Sequence, residues 1–124
     1  MRDLEAISGD VIDVALKLHR ELGPGLLETV YEMILAGRLE QMGYQIARQR
    51  AIDVTFDGLH FPAAFRIDLL VDDRLLVEIK SVERLNPVHQ AQVMSYLRVS
   101  KLRVGLLMNF NVPILQDGLK RIVL

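Results

Sequence analysis

The stretch Arg66–Ser81, RIDLLVDDRLLVEIKS, decides the fold. It reads as two strands joined by a tight turn at Asp72-Asp73-Arg74, and because side chains alternate along a strand, residue parity sets what each face carries. The odd positions Ile67, Leu69, Val71, Leu75, Val77 and Ile79 make an unbroken apolar face, while the even positions are Arg66, Asp68, Leu70, Leu76, Glu78 and Lys80. A three-residue loop at 72–74 pairs Val71 with Leu75, Leu69 with Val77, and Asp68 with Glu78. A two-residue loop would send Glu78 to the face opposite Asp68 and mix charge into the apolar face, which register selection resists. Asp68 and Glu78 are therefore expected side by side, with Lys80 adjacent.

Like charges directly opposite on a sheet are destabilising. A cation, a shared proton or free hydration must offset that cost. Hydration alone gives a solvated face of an antiparallel hairpin. Against it, Leu70 and Leu76 share the face and suggest that it is at least partly covered. Two carboxylates and an amine on a half-covered face would also suit a hard-cation site with a water-activating lysine.

Composition limits the classes available. At 124 residues the chain is expected to form one domain, 1–124, long enough for a real core. Hydrophobic residues make up 51%, enough to suspect apolar surface buried between subunits, and the Ile122-Val123-Leu124 terminus suggests a homodimer. No run of eighteen apolar residues occurs, so no transmembrane helix and no membrane partner are expected. The polar, acidic start MRDLEAISGD resembles neither a signal nor a transit peptide. The lack of cysteine excludes disulfides and thiolate zinc sites and fits a cytoplasmic location. His19, His60 and His89 make no metal-ligand spacing. A net charge of −1 supplies no global basic field, so binding to a polyanion needs a local basic patch, a dimer or metal ions.

Outward from the hairpin, Leu4, Ile7, Val11, Val14, Ala15, Leu18 and Leu22 fall at helical spacing, and Gly23-Pro24-Gly25 stops that helix. A second helix is expected from Leu26 to Met42. Residues 44–56 alternate as a strand, and Asp57-Gly58 turns into another near 59–65, which can run on into the hairpin's first strand. Pro87 suits the first turn of a helix over 87–99. Residues 102–109 read as a buried strand and 120–124 as a short one. The order predicts a mixed α/β domain, a central sheet with helices packed on it.

Glu28 and Tyr31 lie one turn apart near the start of the second helix. Helix-dipole stabilisation explains Glu28 without any site, and Tyr31 reads equally as a half-buried aromatic with its hydroxyl bonded. On the helix after the hairpin, His89, Gln92 and Tyr96 form a polar stripe, the usual solvent face, opposite an apolar stripe of Val88, Ala91, Val93 and Leu97. By itself His89 reads as a surface histidine.

Together the motifs GLLETVY at 25–31, RIDLLV at 66–71, VEIKSVERLNPVHQAQVMSYL at 77–97 and GLLMNF at 105–110 resemble the PD-(D/E)xK nuclease superfamily, and at finer grain its GxxExxY proteins. The resemblance runs from about Val11 onward. It implies a mixed sheet flanked by helices with the site at the hairpin. Asp68 and Glu78 match the metal-binding acids, Lys80 the lysine that positions or activates water, Glu28 the helix acid and Gln92 the polar residue of the following helix, with Tyr31 and Tyr96 as supporting positions. It implies Mg²⁺ (or Mn²⁺) as cofactor and nucleic acid, expected to be DNA, as partner. Ile67 stands where Pro often precedes the Asp, but that proline is not a ligand. Arg48, Arg50, Arg66, Arg84, Arg98, Lys101 and Arg103 are the basic residues available to phosphates, and each such residue is more often a solubilising surface charge than a phosphate ligand. Fold does not fix function. The alternative is a catalytically silent nucleic-acid-binding or assembly protein that keeps the nuclease fold.

Overall fold

A computed structural model describes residues 2–124. Helices α1 (Leu4–Leu22) and α2 (Glu28–Gln41) precede strands β1 (Ile46–Phe56), β2 (Leu59–Val71) and β3 (Leu75–Lys80). Helix α3 (Pro87–Ser100), strand β4 (Val104–Asn109), a 3-10 turn (Leu115–Gly118) and strand β5 (Leu119–Val123) complete the chain. The five strands lie in sequence order in one mixed sheet, antiparallel except for the β3–β4 pair, which α3 connects. No helix among the described residues is long and apolar enough to cross a membrane.

The helix starts follow from local chemistry. The Asp3 carboxylate accepts from the Ala6 N–H at 2.7 Å and caps α1. At α3, Asn86 accepts from the Val88 and His89 N–H groups, while His89 Nδ1 accepts from the Asn86 N–H at 3.1 Å, with Pro87 in the first turn. His89, expected as a plain surface histidine, is half-buried and closes that capping box.

Two cores sandwich the sheet. On one face Ile7, Val11, Ala15 and Leu18 of α1 and Tyr31, Leu35 and Leu39 of α2 cover Leu69, Val71, Leu75, Val77 and Ile79. On the other, Val93 and Leu97 of α3 pack on Leu70, Leu76, Leu107 and Ile122. Gly105 permits this second contact: a Cβ there would meet Val93 Cγ1 at 3.0 Å. The inward side of α3 differs from the expected stripe. Val88 is 71% exposed and Ala91 is exposed, whereas Gln92 and Tyr96 are half-buried beside Val93 and Leu97. The supposed solvent stripe therefore turns toward the sheet.

The hairpin register is as expected, with Leu69 opposite Val77 and Val71 opposite Leu75. Asp72 and Asp73 adopt φ of 51° and 56° in the turn, which aspartate tolerates better than most residues. Parity fails at one point. Ile67 joins the α3 core with Phe65 and Ile52, not the face carrying Leu69. The β2 strand changes face between Ile67 and Leu69, beside the β1 stretch Arg48–Arg50, in which Gln49 is itself at φ 51°. Beyond that point β1 and β2 continue as a two-stranded arm tipped by Asp57-Gly58, with Phe56, Leu59 and Phe61 exposed.

Candidate metal and catalytic site

The candidate site lies where β2 parts from β3. The β2–β3 ladder ends at Leu69–Val77, so Asp68 and Glu78 do not form the expected backbone pair. Instead Asp68 Oδ2 accepts from the Ile79 N–H at 2.9 Å, substituting a side chain for the backbone carbonyl that a longer ladder would offer. Its other oxygen, Oδ1, accepts from Gln49 Nε2 at 3.1 Å. Asp68 is thus held at the junction where β2 leaves β3.

Glu78 lies one residue past the end of that ladder, at 6% exposure. Its Oε2 is 3.6 Å from Lys80 Nζ, and its Oε1 is buried with no hydrogen-bond partner. Burial, and then the negative charge of Asp68, push the Glu78 carboxyl up to about 8, while Lys80 pulls it the other way. An orphaned buried carboxylate oxygen next to a second carboxylate is costly. Oxygen donors of this kind suit a small hard cation such as Mg²⁺, which is held by one or two carboxylates and keeps several waters. Among the described residues no group of three or more His, Cys, Asp or Glu side chains gathers to hold a metal, which leaves the acid pair as the candidate. The two acids fit the cation that the resemblance implies.

The remaining expected residues divide. Tyr96 of α3 lies near the acids: burial, then the charges of Glu78 and Asp68, raise its phenol. Its ring stacks on Phe65 with centroids 4.1 Å apart, joining α3 to the base of the arm. Gln92 is half-buried one turn earlier and makes no side-chain hydrogen bond. Tyr31 is fully buried and stacks on Phe110 at 4.4 Å. Its hydroxyl donates to the Gly23 carbonyl at 2.7 Å and accepts from the Leu26 N–H at 3.1 Å. Ser81 Oγ, one residue past Lys80, donates to the Leu26 carbonyl at 2.8 Å. The start of α2 is thereby tied to the end of β3. Glu28 stands there exposed, in a depression shared with Gly25, Ser81 and Asn111, with no hydrogen bond to Asp68 or Glu78.

The segment after Lys80 is clamped as well. Asn109, opposite Lys80 in the parallel ladder, accepts from the Val82 N–H at 3.1 Å and donates to the Val82 carbonyl at 2.9 Å. Gly118 closes over it, since a Cβ there would lie 2.5 Å from the Asn109 carbonyl oxygen.

Sequence reasoning missed Glu32 and Gln49. Glu32 is buried, its Oε2 accepting from Arg48 Nε at 3.1 Å and Nη2 at 2.9 Å and its Oε1 from Gln49 Nε2 at 2.7 Å. Arg48, one of the basic residues considered for phosphate contact, is thus occupied by an ion pair. Glu32 could have been suspected from its place one turn after Glu28, but nothing in the sequence marks Gln49.

No curated protein and no solved structure gives a significant match. A family model described as the PD-(D/E)XK nuclease superfamily matches residues 5–122, nearly the whole chain. A mixed five-stranded sheet between helices agrees with that match: the chain belongs to the PD-(D/E)XK nuclease superfamily.

Proposed function

We propose that this chain hydrolyses phosphodiester bonds of DNA with a Mg²⁺ or Mn²⁺ ion held by Asp68 and Glu78, and that within its superfamily it is a GxxExxY protein. The observation that carries the reading is the buried, unpartnered Glu78 Oε1 beside Asp68, a polar atom that a bound cation would satisfy. A divalent ion at such a pair supplies Lewis acidity and makes hydroxide available near neutral pH.

The chain's own groups do the positioning. Asp68, held from β1 and β3, presents the free lone pairs of its oxygens beside Glu78. Lys80 Nζ, 3.6 Å from Glu78 Oε2 and still partly open to solvent, donates to the attacking water and orients it toward phosphorus. Glu28 and Gln92 bind further waters at the two helix edges of the site. Burial around Glu78 strengthens each of these charge interactions relative to water. Exposed Arg50 and Arg66, on the arm next to the acids, contact backbone phosphates.

Purified protein incubated with single-stranded, duplex and branched DNA and with RNA, in Mg²⁺ or Mn²⁺, tests the reading. Metal-dependent cleavage of DNA supports it. Binding of a nucleic acid with no cleavage in either metal would make the chain a binding module on a nuclease fold.

A further inference from the structure

The carboxamide of Gln49 joins two acids that come from different parts of the fold. Its Nε2 donates to Glu32 Oε1 at 2.7 Å and to Asp68 Oδ1 at 3.1 Å. A primary amide nitrogen has two N–H donors, so both are used, one on each carboxylate. Glu32 is held in place, because Arg48 grips its other oxygen with two donors and the residue is only 5% exposed. Asp68 is fixed at its far oxygen by the Ile79 N–H. Each oxygen of Asp68 therefore has one donor, from β1 on one side and from β3 on the other, and each keeps a lone pair for something else.

The backbone at Gln49 costs energy. Its φ of 51° lies in the left-handed region that non-glycine residues avoid, and such strain persists where surrounding structure over-determines it. Gln49 lies on β1 between Arg48, which pairs with Leu69, and Arg50, which pairs with Ile67, so it neighbours the stretch where β2 changes face. The strained backbone delivers this one amide between the two acids. A glutamate there would bring a third negative charge, and a shorter amide would not span the gap.

We propose that Gln49 is a positioning residue for the metal site: through its bridge to Glu32 it sets the orientation of the Asp68 carboxylate that, with Glu78, receives the divalent ion. This rests on the metal-site reading given above and adds a residue that acts through Asp68 without touching metal or substrate. Partners of this kind commonly hold their ligands in the orientation that binding needs, and their removal weakens metal affinity about 10–100-fold.

The test uses two variants of the full chain. Gln49→Gly removes the amide and suits the positive φ; Gln49→Met keeps the length and the backbone cost and removes only the donors. Mn²⁺ affinity is measured by calorimetric titration, and exchange of the Ile79 amide hydrogen is measured in chelator. The expected result is Mn²⁺ binding weaker by about 10–100-fold in both variants. Faster exchange at Ile79 should accompany it, and the melting temperature in chelator should fall, because buried Glu32 Oε1 loses its donor. A merely structural role would lower the melting temperature and leave affinity per folded molecule unchanged. Wild-type Mn²⁺ affinity with unchanged Ile79 protection in either variant overturns the inference. Should the wild type bind no Mn²⁺, the metal reading fails by itself, and Ile79 exchange alone then decides whether Gln49 orients Asp68.

Discussion

Replacing Glu78 with glutamine should make the metal-free protein more stable, which is the signature of a residue kept for its charge at the expense of the fold. The Glu78 side chain is 6% exposed, and its Oε1 has no partner. Leaving a buried acceptor unsatisfied costs about 1–3 kcal/mol, more when it is charged. A glutamine of the same shape carries no charge and can donate to Asp68. Against this, Lys80 loses a partner at 3.6 Å, worth up to about 1 kcal/mol. The net gain at pH 8 is about 1–2 kcal/mol, or roughly 3–8 °C in melting temperature for a domain of this size. The gain must depend on pH. The Glu78 carboxyl is raised from its ordinary 4.5 to about 8 in the fold, so the folded state holds a proton that the unfolded chain releases. That contribution to stability is fully present below about 4.5 and is lost as pH rises through about 8. Calorimetric melting in chelator from pH 5 to pH 8.5 should therefore show wild type and Glu78→Gln close together in acid and diverging as pH rises, the variant higher. A variant that melts lower at pH 8, or an advantage that does not grow with pH, would refute the reasoning.

Three other outcomes follow from the same geometry. Millimolar Mn²⁺ should raise the melting temperature of wild type relative to chelator, by about 2.7 kcal/mol of stability at a hundredfold excess over Kd, and should not shift Glu78→Gln; equal shifts in thermal scans would place the ion elsewhere. Asp68→Ala should lose that Mn²⁺ shift together with any cleavage. Arg66→Ala should weaken DNA binding alike for all sequences and reduce the slope of log K against log salt by about one, measured by fluorescence anisotropy at several salt concentrations.

What the sequence made legible was the part governed by periodicity. The hairpin register came from apolar alternation between Leu69 and Val77, and α1 from spacing at Ile7, Val11, Ala15 and Leu18. That Asp68 and Glu78 lie near each other was legible from the hairpin, although the ladder stops at Leu69–Val77 and Asp68 bonds the Ile79 N–H instead. Parity failed at Ile67, which lies in the α3 core while Leu69 lies in the other, and on the neighbouring strand Gln49 takes φ of 51°, for which a glutamine has no preference that announces it. The inward face of α3 was misjudged for a related reason. Gln92 and Tyr96 look solvent-facing in a stripe count, but Tyr96 is covered by Phe65, and Phe65 reaches it only once β2 has crossed over. The Glu32–Gln49–Asp68 chain joins α2, β1 and β2 through side chains alone, and such contacts leave no periodic trace.

The central claim, that the acid pair and Lys80 make a hydrolytic site, is tested most directly by cleavage of DNA in Mg²⁺ or Mn²⁺ by wild type and by Lys80→Ala at matched protein concentration. The account predicts that wild type cleaves and chelator stops it. Lys80→Ala should bind metal and DNA as wild type does but not turn over, the loss lying in the chemical step. Cleavage by Lys80→Ala at the wild-type rate, or none by wild type on any substrate in either metal, would contradict it.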